Sequence, residues 1–114
     1  MVEDDQDGLH ILCMMLERIG YAPIPFSSSV EALEKSKELK VDLVLLDINM
    51  PRLNGYELFK ELKKQDTFKG VPMIMVTARD DESDVIQGYQ YGADYYMIKP
   101  FTPKQLENGL RLFL

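Results

Sequence analysis

The stretch Asp42-Leu-Val-Leu-Leu-Asp47 places four consecutive apolar residues between two carboxylates. A continuous apolar run of this length is typical of a β-strand that is buried on both faces, as in a parallel sheet covered by helices. The run therefore predicts a strand over residues 42–47 with a helical layer on each side. Asp47 then stands at the carboxyl end of this strand.

Short apolar runs and segments of helical spacing alternate on both sides of this strand. Ser28 with Glu31 predicts a capped helix start, and Thr102 with Pro103 and Gln105 predicts another. Strand alternating with helix predicts an α/β fold with one parallel sheet between two helical layers, a three-layer sandwich. The predicted strands are residues 22–26, 42–47, 71–76 and 95–98, and the predicted helices lie around residues 9–19, 29–39, 58–62, 85–92 and 103–113.

The first strand of this pattern is almost missing, because only Met1 and Val2 precede the acidic residue Glu3. We therefore expect a truncated first strand in a five-stranded sheet, with further residues upstream in the full-length protein. The last helix ends early, at Leu114, so we also expect a C-terminal output domain or tail. Residues 1–114 themselves are predicted to form a single domain.

Composition narrows the function classes. The net charge of −6 argues against direct nucleic-acid binding, which usually requires a basic surface. No apolar stretch approaches the roughly 20 residues that would span a bilayer. The single cysteine, Cys13, cannot form an internal disulfide, so the sequence favours the cytoplasm.

Polar residues follow the strands where a parallel sheet binds ligands, beyond the carboxyl ends. Clustered carboxylates repel one another unless a cation is present, and oxygen ligands with room for water favour Mg²⁺. A lysine at this edge can bind a phosphate, and a carboxylate can act as a nucleophile toward phosphorus. The residues at the strand ends are Glu3, Asp4, Asp5, Asp47, Thr77 and Lys99.

Four motifs in this order resemble the receiver domain of two-component response regulators, over essentially the whole chain. The resemblance implies a flavodoxin-like sheet with strand order 2-1-3-4-5 and five helices. The motifs are Val2-Glu3-Asp4-Asp5, Leu46-Asp47-Ile48-Asn49-Met50-Pro51 with Asn54-Gly55, Val76-Thr77-Ala78, and Gly92-Ala93-Asp94 with Tyr96 to Phe101.

The resemblance also implies roles for the acidic residues. Asp47 is expected to be the phosphoacceptor and a Mg²⁺ ligand. Asp4 is expected to bind Mg²⁺ directly and Glu3 to act through water, while the backbone carbonyl of Asn49 completes the protein ligands. Asp5 is expected to be a neighbour rather than a ligand.

The remaining motif residues are expected to act on the phosphoryl group. By the same resemblance, Lys99 binds a phosphoryl oxygen, and the bond from Lys99 to Pro100 is cis. Thr77 and Tyr96 are expected to form the switch pair, in which the Thr77 hydroxyl moves toward the phosphoryl group and Tyr96 turns inward.

The function that follows is a phosphorelay step rather than conventional enzymatic turnover. A histidine kinase or phosphotransfer protein would supply the phosphoryl group, and the switch would act on an output domain or a partner protein. One alternative is a receiver-like interaction module that takes no phosphate. A less favoured one is a Mg²⁺-dependent aspartyl phosphatase, which would typically carry an acid at position 49, where this chain has Asn49.

The sequence leaves the oligomeric state open. Many receivers joined to winged-helix domains dimerise through charged pairs, and this chain keeps Asp94 and Arg111 of such a set. It has Val85, Tyr95 and Gly109 where charges are expected, so a dimer of that form is not predicted. Tyr95 is expected to be an exposed apolar residue available for another contact.

Overall fold

A parallel sheet with helices on both faces forms the centre of the chain. The computed structural model describes residues 1–3, 5–48, 55–78, 93–99 and 101–114. Its three strands are all parallel and lie in the order β1-β2-β3. The elements in chain order are α1 (Gln6–Arg18), α2 (Ser29–Ser36), β1 (Val44–Asp47), α3 (Gly55–Lys63), a 3-10 turn (Asp66–Phe68), β2 (Met73–Ala78), β3 (Tyr95–Lys99) and α4 (Pro103–Arg111).

The first two predicted strands are present only as bridges. Val2 forms one parallel bridge to Phe26 and another to Leu46 of β1. Its neighbours are paired on both sides, since Glu3 N–H donates to Phe26 O at 3.0 Å and Asp47 N–H donates to Val2 O at 3.0 Å. Val2 therefore lies between the second and third strands, which confirms the order 2-1-3-4-5 and the short first strand.

The predicted strand over residues 22–26 is correspondingly too long. Only Phe26 forms a β-bridge, although the Met1 ammonium also donates to Ile24 O at 3.0 Å, and residues 21–25 form no strand. Pro23 and Pro25 lack the N–H that a ladder requires, which explains why pairing does not extend upstream. A cavity of about 430 Å³ lies on this amino-terminal side of Val2, lined by residues that include Met1, Ala22, Ile24 and Leu43.

Alternate side chains of the strands enter two apolar cores, one on each face of the sheet. Leu46, Met75 and Tyr96 point toward α2 and α3, in a core that also contains Leu58 and Phe59. The opposite face packs against α1 and α4. Its buried residues are Leu16, Leu45, Ile74, Val76, Met97, Leu106 and Leu110. Two filled faces confirm the three-layer architecture.

The helix ends follow the capping residues of the sequence. Thr102 Oγ1 accepts from Gln105 N–H at 3.1 Å while Gln105 Oε1 accepts from Thr102 N–H at 2.8 Å, which completes the predicted capping box. Ser28 Oγ accepts from Glu31 N–H at 3.3 Å. After α1 the backbone turns at Gly20, whose φ of 96° suits a glycine.

Several predicted boundaries differ from the structure, and β1 and β2 each begin two residues later than predicted, at Val44 and Met73. The helix predicted over residues 29–39 ends at Ser36, where Ser36 Oγ donates to the Leu33 carbonyl at 2.6 Å and turns follow. β2 and β3 extend further than predicted, so Thr77 and Lys99 lie within strands rather than after them. The helix predicted around residues 85–92 lies outside the described residues.

Among the described residues, no helix has the length and apolar composition needed to cross a bilayer.

Candidate functional site

Three charged side chains meet at the carboxyl edge of the sheet. Lys99 Nζ lies 2.8 Å from Glu3 Oε1 and 3.4 Å from Asp47 Oδ2. The two carboxylates are almost fully buried, whereas the lysine side chain is 39% exposed. A solvated ammonium thus covers two buried acids that come from distant parts of the chain.

Strand register explains why these three residues meet. Asp47 is the last residue of β1 and pairs with Val76, while Lys99 is the last residue of β3 and pairs with Ala78. Glu3 follows Val2, which lies beside β1. Since parallel strands all end at the same edge, three strand ends bring the three side chains together.

Glu3 and Asp47 repel each other within this cluster. Burial, together with the hydrogen bond and the negative charge of Asp47, raises the pKa of Glu3 from 4.5 to about 7. Lys99 opposes this rise. Burial alone would lower the pKa of Lys99, but its hydrogen bond to Glu3 and the charge of Asp47 outweigh burial and raise it. The site therefore holds more negative charge than one lysine neutralises.

Such a site suits a cation. The predicted Mg²⁺ ligands Glu3 and Asp47 are adjacent, and oxygen donors in an electronegative site are what Mg²⁺ prefers. Within the part of the chain that the structure describes, no group of three or more His, Cys, Asp or Glu side chains stands together as a metal cluster. The other two predicted ligands, Asp4 and Asn49, lie outside the described residues, as does Pro100.

Gly55 fixes α3 directly beneath the phosphoacceptor candidate. Its N–H donates to Ile48 O at 3.1 Å. A Cβ at this position would lie 2.5 Å from the backbone oxygen of Asp47 and 2.8 Å from Ile48 Cα. Any other residue would therefore push α3 away from the end of β1.

The predicted switch residues lie on the face opposite the charges. By strand alternation, Thr77 and Tyr96 point toward the α2 and α3 side, whereas Asp47 and Lys99 point toward α1. Thr77 is 1% exposed and follows Val76, the partner of Asp47 in the register. Tyr96 is buried, and its hydroxyl donates to the Tyr56 hydroxyl at 3.0 Å. Tyr96 thus occupies the inward position.

A second cavity, of about 300 Å³, adjoins the charged cluster. It runs between α1 and the sheet, and Ile11 of α1 is 53% exposed at this surface. This cavity therefore borders the charged residues on the α1 side, where Lys99 is the exposed member of the cluster. The apolar lining consists of Val2, Ile11, Leu12, Met15, Leu45, Val76 and Phe101.

The residues expected at a charged dimer face have partners within the chain. The Asp94 carboxylate accepts from Met73 N–H at 2.8 Å, and Arg111 pairs with Glu107 at 2.9 Å. The expectation that Tyr95 is exposed is wrong. Tyr95 is half-buried, because Gly109 leaves room for its ring on α4 and Phe113 packs beside it, with ring centroids 6.1 Å apart.

Two residues near the site have structural roles that the sequence analysis did not assign to them. Asp5, expected only as a neighbour, is the N-cap of α1 and accepts from Asp7 N–H at 3.3 Å. Tyr56 was not identified, because a tyrosine after a glycine carries no pattern of its own. Only the fold brings its hydroxyl to Tyr96.

A doubly wound parallel sheet with an acid-and-lysine cluster at its carboxyl edge defines the class of protein. A family model, described as response regulator receiver domain, matches residues 1–111. The chain belongs to this family and is thus a receiver domain of the kind found in two-component systems.

Curated relatives agree with the family. The chain is 39% identical over all 114 residues to the alkaline phosphatase synthesis transcriptional regulatory protein PhoP of Bacillus subtilis (strain 168), covering 47% of that protein. It is 36% identical over 106 residues, 93% of this chain, to the phosphate regulon transcriptional regulatory protein PhoB of Escherichia coli (strain K12), covering 46% of that protein. The chain therefore spans about half the length of these relatives.

Solved structures agree with the fold. The chain resembles the Vibrio cholerae chemotaxis protein CheY4 with a TM-score of 0.92 at 28% identity, covering 99% of this chain and 94% of that one. It also resembles the receiver domain of the sensor histidine kinase PA1611 from Pseudomonas aeruginosa PAO1, with a TM-score of 0.90 at 28% identity and coverages of 98% and 92%. That receiver domain was solved with a magnesium ion coordinated in its active site cleft.

Proposed function

We propose that this receiver domain accepts a phosphoryl group on Asp47 in a Mg²⁺-dependent reaction. The donor is a phosphohistidine of a histidine kinase or phosphotransfer protein. The observation that supports this proposal most is the cluster in which Lys99 lies between Glu3 and Asp47. A structural salt bridge would need one acid, whereas phosphoryl transfer needs an acceptor, excess negative charge for a cation, and a lysine.

The transfer is a substitution at phosphorus. A carboxylate oxygen of Asp47 attacks the phosphorus, the P–N bond of the phosphohistidine breaks, and its electron pair leaves on the imidazole nitrogen. The product is a mixed anhydride of the aspartyl carboxyl and phosphate. Water later attacks the phosphorus and releases inorganic phosphate, which regenerates Asp47. The domain thereby removes its own modification and is not a conventional enzyme.

Lys99 supplies the fixed positive charge for this step. Its ammonium carries three donors and already lies within 3.4 Å of Asp47, so it can bind an oxygen of a phosphoryl group on that residue. The two acids hold the ammonium in place before the donor arrives. No reorganisation of this charge is then required during transfer.

Asp4, Asp47 and the Asn49 carbonyl would hold the Mg²⁺, with Glu3 acting through water. When bound, the ion neutralises charge on the carboxylates and on the transferring group. Glu3 contributes a charge close to the ion, and its raised pKa is consistent with a carboxylate that lacks sufficient counter-charge.

The output follows from the switch pair. In our proposal the Thr77 hydroxyl is drawn toward the phosphoryl group, and the position of Tyr96 reports that movement to the surface of β3 and α4. The recipient is an output domain or a partner protein in the cytoplasm, since the curated relatives are transcriptional regulators of about twice this length.

Labelling of Asp47 tests the proposal. We expect the wild-type chain to gain the mass of one phosphoryl group from acetyl phosphate with Mg²⁺, and Asp47→Asn to gain none. The matched control is Asp66→Asn, which changes an exposed acid away from the edge. Label that persists in Asp47→Asn contradicts the mechanism. Absence of label in the wild type favours an interaction module, and continuous phosphate release beyond one equivalent favours a phosphatase.

Thermal unfolding tests the metal site separately. A cation that binds only the folded state raises Tm by linkage, so we expect millimolar Mg²⁺ to raise Tm of the wild type. Asp4→Asn should reduce this rise and Asp66→Asn should keep it. A Tm of the wild type that does not respond to Mg²⁺ contradicts the proposed site.

A further inference from the structure

A hydrogen bond between the buried hydroxyls of Tyr56 and Tyr96 connects α3 to β3, the outer strand of the described sheet. Tyr96 Oη donates to Tyr56 Oη at 3.0 Å, across 40 positions in the sequence. Each side chain is 7% exposed and belongs to the same apolar core. A hydroxyl pair in such surroundings is costly to separate without new partners, so the contact favours the position in which the two hydroxyls meet.

Tyr56 is itself tied to the phosphoacceptor. It follows Gly55, whose N–H is bonded to Ile48 O and whose Cα position leaves no space for a Cβ beside Asp47 O. The start of α3 therefore cannot slide relative to the end of β1. The Tyr56 hydroxyl is a fixed acceptor whose position depends on the backbone of Asp47.

Tyr96, in contrast, lies on the outer strand of the described sheet. β3 is the last strand in the order β1-β2-β3, so one side of it is free of sheet pairing among the described residues. A ring on an edge strand can rotate out past that edge without crossing another strand. The hydroxyl contact with Tyr56 favours the inward position over the outward one.

We propose that Tyr56 is a positioning residue that holds Tyr96 inward and so sets the resting balance of the switch. This inference rests on the proposed function, in which Tyr96 transmits the phosphoryl signal. In this proposal Tyr56 acts through Tyr96 and not in the phosphoryl-transfer step itself. Its effect is on the population of the inward position, which the phosphoryl group then changes further.

Site-specific fluorine NMR measures that population. A 3-fluorotyrosine placed at position 96 reports whether the ring is buried or in water. In Tyr56→Phe the ring at position 56 is kept and its hydroxyl, the acceptor for Tyr96, is removed. We expect the outward population of Tyr96 to increase about tenfold, with labelling of Asp47 by acetyl phosphate unchanged within about twofold.

Tyr95→Phe is the matched control, because it removes a hydroxyl from the same strand on the opposite face. The Tyr96 signal should not change in this variant. A second variant, Tyr56→Leu, removes ring and hydroxyl and should increase the outward population at least as much as Tyr56→Phe. If the Tyr96 signal in Tyr56→Phe is the same as in the wild type, the inference is overturned.

The experiment separates the two proposals. If Asp47 accepts no label while the Tyr96 signal still responds to Tyr56→Phe, the proposed function fails and the hydroxyl contact remains a positioning device. If Asp47 is labelled and the Tyr96 signal does not respond, the proposed function stands and this inference fails. A purely packing role for Tyr56 would lower Tm without increasing the outward population, which also overturns it.

Discussion

The carboxyl and amino edges of the sheet use charged residues in different ways. At the carboxyl edge, three charged side chains lie close together in buried or partly buried positions, namely Glu3, Asp47 and Lys99. At the amino edge, one carboxylate, Asp94, caps the N–H of Met73, and Asp94 N–H donates back to Met73 O at 3.0 Å. The charges at the first edge oppose one another, whereas the acid at the second only completes backbone pairing. The proposed phosphoryl-transfer site and this backbone pairing thus lie at opposite ends of the same strands.

The largest expected effect is on the lysine of the carboxyl edge. Lys99→Ala removes the positive charge that would bind the phosphoryl group, and loss of one preorganised donor costs roughly 100- to 1,000-fold in rate. We expect labelling of Asp47 by acetyl phosphate to slow by about that factor. The rate is measured by mass spectrometry of the intact chain.

Lys37→Ala is the matched control, since Lys37 is exposed after α2. It should be labelled at the wild-type rate. Equal slowing in both variants would mean that overall charge, rather than the position of Lys99, determines the rate.

Gly55→Ala should lower the stability of the chain and also slow phosphorylation of Asp47. The added Cβ would approach Asp47 O to 2.5 Å, so α3 must shift, and overpacking of this kind costs about 1–3 kcal/mol. We expect a lower free energy of unfolding in urea and slower labelling, because Asp47 moves as well. Gly70→Ala, where no atom lies within 4 Å of the new Cβ, should change neither.

The pH dependence of stability should reveal the repulsion at the carboxyl edge. Burial and Asp47 raise the pKa of Glu3 to about 7 from its ordinary value of 4.5, so between these values the folded chain binds more protons than the unfolded chain. The free energy of unfolding should therefore fall as pH rises from 4.5 to 7, by about 1–2 kcal/mol after screening by water.

In Glu3→Gln we expect this loss of stability with rising pH to be absent. The free energy of unfolding is measured with urea in Mg²⁺-free buffer at pH 5 and pH 8. The difference between wild type and variant cancels the Met1 amino group, whose pKa burial lowers from 8.0 to about 6 and whose effect has the opposite sign. If the free energy of unfolding has the same pH dependence in both proteins, ionisation of Glu3 does not destabilise the folded chain.

The smallest effect belongs to the amino edge. Asp94→Ala removes a hydrogen bond to a charged acceptor at an exposed residue, which should cost about 1 kcal/mol and lower Tm by several degrees. Labelling of Asp47 should be unchanged. A loss of labelling in Asp94→Ala at a temperature where the variant is folded would contradict the separation of the two edges.

The sequence predicted the secondary structure that local patterns determine and the sheet edge at which the charged residues lie. The apolar run before Asp47 identified a buried strand, and residue types identified the Thr102–Gln105 capping box. The rule that parallel strands end at the same edge placed Glu3, Asp47 and Lys99 together. The strand and the capping box each depend on a pattern that is visible in one segment. The meeting of the three charged residues depends on the predicted parallel sheet.

Two features that depend on side-chain packing between distant segments were not predicted. Tyr95 is partly covered because Gly109 on another element lacks a side chain. The Tyr56–Tyr96 hydroxyl contact likewise joins residues whose local patterns are uninformative. Such contacts depend on tertiary packing, to which single-segment reasoning has no access.

The contacts of Lys99 also have a kinetic consequence. They join residues that are 96 and 52 positions apart in the chain, so closing them requires nearly the whole polypeptide to have collapsed into register. A partly folded molecule holds the three charges far apart and cannot present the cluster. The amount of acyl phosphate formed in a brief exposure to donor would then count completely folded molecules, and refolding could be timed by chemistry at a single carboxyl group.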